Sequence, residues 1–294
     1  MNFTKGEYSD LKKIAYETDE GYLFKNPNDP EMMIKVISTL PWVPGYFDLK
    51  LYTIRLLLEN YHLLHDLRIS LPFDLFLVDC KPKGYCAKCI NGISLIKLLF
   101  NEGISLDTRI GYLRQVGSIL RSMDYVRKTT NLKNFFYNDI HEDNFMVNQD
   151  GIVYGIDIDS CSIMDNVPSS SLYPSMLLSQ ISDNSKYKKC SRVSDYTSGI
   201  KPDSNLDLYC YIRMIINFMY GKIIDNLNKD NLFEYLDFLE FYGGNLELLY
   251  CLSNIYDDSV DNINPDYLLY YIKEMYSYGN IRYDKYKCLS KIMK

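Results

Sequence analysis

One stretch of the chain gathers residue types that can handle a hydroxyl group, a divalent cation and a phosphate. Asn138-Asp139-Ile140-His141-Glu142-Asp143-Asn144 places an Asp five residues before an Asn. Asp157 follows thirteen residues further on, closing the apolar segment Ile152-Val153-Tyr154-Gly155-Ile156. A positioned carboxylate such as Asp139 can orient an attacking hydroxyl and accept its proton. An amide oxygen and a second carboxylate are hard ligands of the kind magnesium prefers. Phosphoryl transfer from ATP needs this set, since its catalysis is mostly positioning and charge stabilisation. Each residue alone has an ordinary use as a turn or cap, so the joint spacing carries the reading.

The elements that must hold these residues are legible in outline. Residues 8 to 37 read as short extended segments, with a turn at Asn26-Pro27-Asn28-Asp29-Pro30 and an apolar strand at Met32-Met33-Ile34-Lys35-Val36-Ile37. A helix is predicted from about Phe47 to His65, with Leu51, Ile54, Leu58, Tyr61 and Leu64 near one face. Strands are expected at Leu75 to Val78 and Tyr85 to Ile90. From Ser105 the periodicity turns helical, and Ile110, Leu113, Gly117, Leu120 and Tyr125 mark a long buried helix. The polar stretch 160–206 reads as a long functional loop. Helical patterns return over 207–220, 232–242, 246–255 and 267–276.

Composition limits the alternatives. A chain of 294 residues with 47% hydrophobic content can bury one or two cores. A net charge of −6 gives no general attraction to nucleic acid or to acidic membranes. The basic run Lys186-Tyr187-Lys188-Lys189, with Arg192 behind it, reads as a solvated loop face. No apolar run approaches the roughly 20 residues of a membrane-spanning helix, and Met1-Asn2-Phe3-Thr4-Lys5-Gly6-Glu7 is too polar for a secretion signal. Eight cysteines in this setting suggest a reducing, cytoplasmic interior. Cys86-Ala87-Lys88-Cys89, with Cys80 nearby, lacks the second ligand pair of a structural zinc site and reads as buried strand thiols. The 28 tyrosines read as packing residues.

The order and spacing around Asp139 resemble the catalytic loop and metal-binding motif of the protein-kinase-like superfamily. That superfamily spans protein kinases and the aminoglycoside and choline phosphotransferases. The resemblance runs over about residues 10 to 225. It implies an α+β, two-lobed fold, with a small β-rich N-lobe over residues 1–91 and a larger helical C-lobe over 92–294. It also implies ATP and Mg2+ as cofactors, and a protein Ser/Thr or a small-molecule hydroxyl as acceptor.

Carried over by position, Asp139 matches the catalytic carboxylate, and Asn144 and Asp157 match the metal ligands. Lys35, a charge inside an otherwise apolar run, matches the lysine that contacts the α- and β-phosphates, and it needs a partner. Glu59 is expected to be that partner, with Asp48 as its competitor. The segment from Gly84 to Gly92 resembles the strand and hinge that bind adenine, through backbone groups at Lys88, Cys89 and Ile90. Of a glycine-rich phosphate loop only Gly21 remains, flanked by Glu17, Asp19 and Glu20.

Departures from the pattern give the resemblance its direction. Tyr137-Asn138 replaces the His-Arg before the catalytic Asp of protein kinases, which removes control through a phosphorylated activation loop. His141 stands where Ser/Thr kinases carry Lys and is similar to the aminoglycoside phosphotransferase branch, as is Asp157-Ile158-Asp159. Asp159 reads either as a second metal contact or as a satisfied loop carboxylate. Asp207 matches the acid that bonds the catalytic-loop backbone, or serves as a helix cap. The expected activity is an ATP-dependent phosphotransferase. The alternatives are a pseudokinase scaffold and a small-molecule kinase.

Overall fold

The computed structural model describes residues 1–12, 15–18, 21–26, 29–38, 45–166, 204–220 and 264–277. The helical patterns expected over 232–242 and 246–255 lie outside the described residues, as does most of the 160–206 loop.

Strands Asn2–Phe3 (β1), Tyr16–Thr18 (β2), Gly21–Asn26 (β3), Asp29–Ile37 (β4), Pro72–Val78 (β5) and Lys81–Lys88 (β6) form one mixed sheet among the described residues, in the order β1-β5-β6-β4-β3-β2. β1 runs parallel to β5, and the other neighbours are antiparallel. Period-two alternation along β4 sorts its side chains between two faces. Ile34 and Val36 pack with Phe24, Phe76, Cys86 and Leu11. Ile37 turns the other way, towards Tyr46, Ile54, Tyr85 and Ala87.

Leu11 belongs to helix Lys5–Lys12 (α1), in a region where extended structure was expected. The helix starts on a reciprocal capping box: the Thr4 backbone N–H donates to Glu7 Oε2 at 2.7 Å, and the Glu7 N–H donates to Thr4 Oγ1 at 3.3 Å. The opposite face of the sheet carries Tyr46–Glu59 (α2), which breaks at Asn60 before the short turn Tyr61–Leu64 (α3). Tyr61, placed on the apolar face from the sequence, is exposed, because the break at Asn60 shifts the helical phase.

A second, antiparallel sheet is built from Gly92–Ser94 (β7), Phe145–Asn148 (β8) and Val153–Gly155 (β9). Around it pack Leu95–Leu99 (α4), Leu106–Thr129 (α5), Ser204–Tyr220 (α6) and Pro265–Ser277 (α7). The buried stripe of α5 runs through Ile110, Leu113, Val116, Ile119, Met123 and Val126. Tyr125 was expected in that stripe but is 68% exposed, because a 3.6-residue period passes through 123 and 126 instead.

The segment after α3 ties the two sheets together. Ile69 forms a parallel bridge to Gly155, with the Gly155 N–H donating to Arg68 O at 2.9 Å and the Ser70 N–H to Gly155 O at 2.8 Å. Gln115 of α5 completes the joint, its Oε1 accepting from Arg68 Nη1 at 2.9 Å and from the Val153 N–H at 3.0 Å. Cys86 is buried on β6, whereas Cys80 sits in the exposed turn before it rather than in a strand interior. No helix among the described residues is long and apolar enough to cross a membrane.

Candidate active site

The loop from Phe136 to Asn144 is held from below by Asp207 in the first turn of α6. Its two carboxylate oxygens accept the backbone N–H groups of Tyr137, at 2.8 Å, and Asn138, at 2.9 Å. Both donors and the acceptor are buried, so the bonds must be made within the protein. Asn138 adopts φ 67°, a left-handed conformation that Asn tolerates better than most residues. Glu142, also buried, accepts from Asn217 Nδ2 of α6 at 2.8 Å. Asp207→Ala should cost about 1–3 kcal/mol for each buried donor left unpaired. Thermal unfolding monitored by circular dichroism would check this, and an unchanged melting temperature would refute it.

So anchored, the loop presents Asp139 and Asn144 side by side. Asn144 Nδ2 donates to the Asp139 backbone carbonyl at 2.8 Å and to Asp139 Oδ2 at 3.0 Å. Its amide nitrogen is thereby fixed on the Asp139 side, and its amide oxygen faces the other way. His141 Nε2 is 3.8 Å from Asp139 Oδ1. Tyr137 Oη bridges this loop to the segment after β9, donating to the carbonyls of Asn144, at 3.1 Å, and Ile156. Its ring stacks on Phe145 at 5.5 Å and lies against Gly155, where any Cβ would come within 2.9 Å of it. Burial pushes the Tyr137 phenol well above its ordinary value, so it stays a neutral donor. The Ile156 N–H donates to Asn144 O at 2.9 Å, which brings Asp157 next to Asn144.

Asp157 itself has φ 62° and ψ 41°, a left-handed geometry uncommon for Asp, just before a 3-10 turn at 158–160. Its side chain is paired with Lys35 Nζ, which comes from β4, 122 residues away in the chain. Lys35 also lies 2.9 Å from Asp159 Oδ2. The other oxygen of Asp159 is 2.8 Å from Lys50 Nζ of α2, which further donates to Ser160 Oγ at 2.6 Å. The side chains of Lys50 and Asp159 are 0% and 1% exposed. Burial pushes the Asp159 carboxyl up, but the Lys35 and Lys50 ammonium groups outweigh it and hold the group well below the usual carboxylate range.

Two expectations change here. Glu59 is exposed rather than partnering Lys35, and so is its competitor Asp48. At about 100° per residue, Glu59 stands half a turn from Lys50 around the helix, and Lys50 is on the inward face. Asp159 and Asp157 take the place expected of Glu59. Lys50 was not singled out from the sequence. Its signal was a lone Lys spaced four and seven residues before Ile54 and Leu57, both buried.

A cavity of about 380 Å3 is lined by Ile156, the chain neighbour of Asp157, and by Leu23, the cross-strand partner of Lys35. Leu23 and Met33 line it from the six-stranded sheet, Met146 and Ile156 from the other side, and the chain from Lys88 to Ile90 along one edge. Two backbone groups of that edge are already engaged. The Cys89 N–H donates to Glu31 O at 2.6 Å, and Lys88 O accepts from Ser70 Oγ at 2.7 Å. Cys89 therefore does not offer its N–H to the cavity. Gly21 opens β3, outside that lining. Its φ of 148° and a Cβ that would fall 1.9 Å from Val36 O show that close strand packing is what requires glycine here. Of the acids beside it, Glu17 accepts from Tyr22 Oη at 3.2 Å, and residues 19–20 lie outside the described residues.

The donor set Asp157 carboxylate plus Asn144 amide oxygen suits a magnesium ion, which takes only one or two oxygens from protein and keeps the rest for water and phosphate. No known protein-family model matches this chain, and no curated protein matches it.

Proposed function

We propose that the chain is a magnesium-dependent phosphotransferase with a two-lobed, protein-kinase-like architecture, moving the γ-phosphoryl group of ATP to a hydroxyl, with protein Ser/Thr as the acceptor. In this reading the six-stranded sheet with α1 and α2 is the smaller lobe, and the helices around β7, β8 and β9 form the larger one. The observation that carries the proposal is the meeting of Lys35 with Asp157 across 122 residues, next in register and in chain to Leu23 and Ile156 of the apolar cavity lining, with Ile156 bonded to Asn144 of the Asp139 loop. Its free cysteines suit a reducing cytoplasm.

The residues divide the work by position. The base of ATP fills the cavity between Leu23, Met33, Met146 and Ile156, with its edge towards Lys88 and Ile90. Lys35 turns its ammonium from Asp157 to the α- and β-phosphates. Asp157 and the Asn144 amide oxygen are the groups that would hold magnesium, which would supply neutralisation of the phosphate charge. Asp139 orients the acceptor hydroxyl and takes its proton as the new O–P bond forms. The bond between the γ-phosphorus and its bridging oxygen breaks, and ADP leaves with the electron pair. The Asn144 Nδ2 bond to Asp139 keeps the carboxylate aimed throughout. His141 Nε2 stands 3.8 Å from that carboxylate.

A pseudokinase reading has two specific observations in its favour. The Cys89 N–H is spent on Glu31, and strand packing alone accounts for Gly21. Calorimetry with ATP, with and without magnesium, on wild type and Asp157→Ala separates the readings. The phosphotransferase should bind ATP only with both magnesium and Asp157 present, and should release ADP when an acceptor is supplied. Absence of ATP binding by the wild type would defeat the proposal.

A further inference from the structure

Lys50 has no place in the mechanism above, yet α2 buries it completely. An ammonium in a protein interior is tolerated only where charge and hydrogen bonds compensate it. Here the compensation is Asp159 Oδ1 at 2.8 Å and Ser160 Oγ at 2.6 Å, with the Tyr46 ring 5.4 Å away. The second oxygen of Asp159 is 2.9 Å from Lys35. The two side chains on either side of Asp159 thus come from α2 and β4, and the carboxylate between them belongs to the segment that carries Asp157.

We propose that Lys50 is a positioning residue for nucleotide binding and phosphoryl transfer. It clamps one oxygen of Asp159, so that the other oxygen holds the Lys35 ammonium next to Asp157. This rests on the phosphotransferase reading of the site. Two physical consequences follow from the clamp. When Asp157 leaves Lys35 for a metal ion, Asp159 is the carboxylate that still fixes Lys35, and α2 holds Asp159 in place. The charges also sum in favour of an anion. Lys35, Lys50 and Asp159 together carry +1, whereas Lys35 and Asp159 alone would carry none. Lys50 thus cancels Asp159 and leaves the charge of Lys35 available to phosphate.

The test is a cycle of Mg·ATP affinities measured by calorimetry, with melting temperatures confirming that each variant is folded. The variants are Lys35→Met, Lys50→Met/Asp159→Asn, and the triple combination. The paired substitution removes both buried charges, so it avoids stranding a carboxylate in the interior. It should weaken Mg·ATP by about tenfold in the wild-type background and by less than about twofold once Lys35 is already Met, the coupling expected of groups acting through one another. Lys50→Met alone should lose more than the pair, because Asp159 then neutralises Lys35. An equal loss in both backgrounds would mean a merely structural role and overturn the proposal, as would wild-type affinity in the folded Lys50→Met variant. Absence of Mg·ATP binding by the wild type would overturn the underlying phosphotransferase reading as well. Wild-type binding that needs Asp157 but not Lys50 would overturn this inference alone.

Discussion

Asp139→Ala is expected to lower the rate of phosphoryl transfer by about 10²–10⁴ while leaving Mg·ATP affinity nearly unchanged, the usual loss for a positioned acid–base group. The affinity should survive because Asn144 has a second hold. Its Nδ2 also donates to the Asp139 backbone carbonyl at 2.8 Å, a bond the substitution leaves intact. The Asn144 amide oxygen thus stays where magnesium needs it, and the loss falls on the chemical step. Single-turnover transfer to an acceptor, measured beside calorimetric ATP affinity, separates the two quantities. Full turnover in the variant would remove Asp139 from the mechanism. Loss of ATP affinity on the same scale would instead make it part of the nucleotide site.

Asp159→Asn should have the largest effect on stability of any single substitution in the site, about 3–5 kcal/mol, the range for removing one member of a buried ion pair. The neutral amide takes away the carboxylate charge that faces Lys50, which is 0% exposed and keeps its 2.6 Å bond to Ser160 Oγ. Lys35 keeps Asp157 and is less affected. Adding Lys50→Met to Asp159→Asn should return much of the loss, since the buried cation then goes together with the carboxylate that faced it. Urea unfolding of the wild type, the single variant and the double variant would measure this. A single variant as stable as the wild type would show that the pair makes no net demand on the fold.

How far the sequence reached depended on whether a signal was local. The spacing of Asp139, Asn144 and Asp157 lies within one short span, and the contacts among Asn144, Ile156 and Asp139 follow from it. Lys35 stood out as a charge in an apolar strand, and its need for a partner was correctly read, though not the partner. Glu59 looked enclosed because Leu56, Leu57, Leu58 and Leu63 surround it in sequence, but leucines on all sides leave the phase of a helix open. Packing against β5, β6 and the 158–160 turn fixes which face of α2 turns inward. Lys50, in Asp48-Leu49-Lys50-Leu51, reads like a surface lysine until Asp159 is brought to it from 109 residues away. The α1 capping box at Thr4 and Glu7 was in plain view and went unread.

The shared carboxylate of Asp159 also constrains how such a site can drift. Lys35, Lys50, Asp157 and Asp159 sum to zero charge, and three of the four are nearly inaccessible to water. Replacing Lys50 or Asp159 by itself removes the buried opposite charge that faces the other, so these two positions change most readily as a pair.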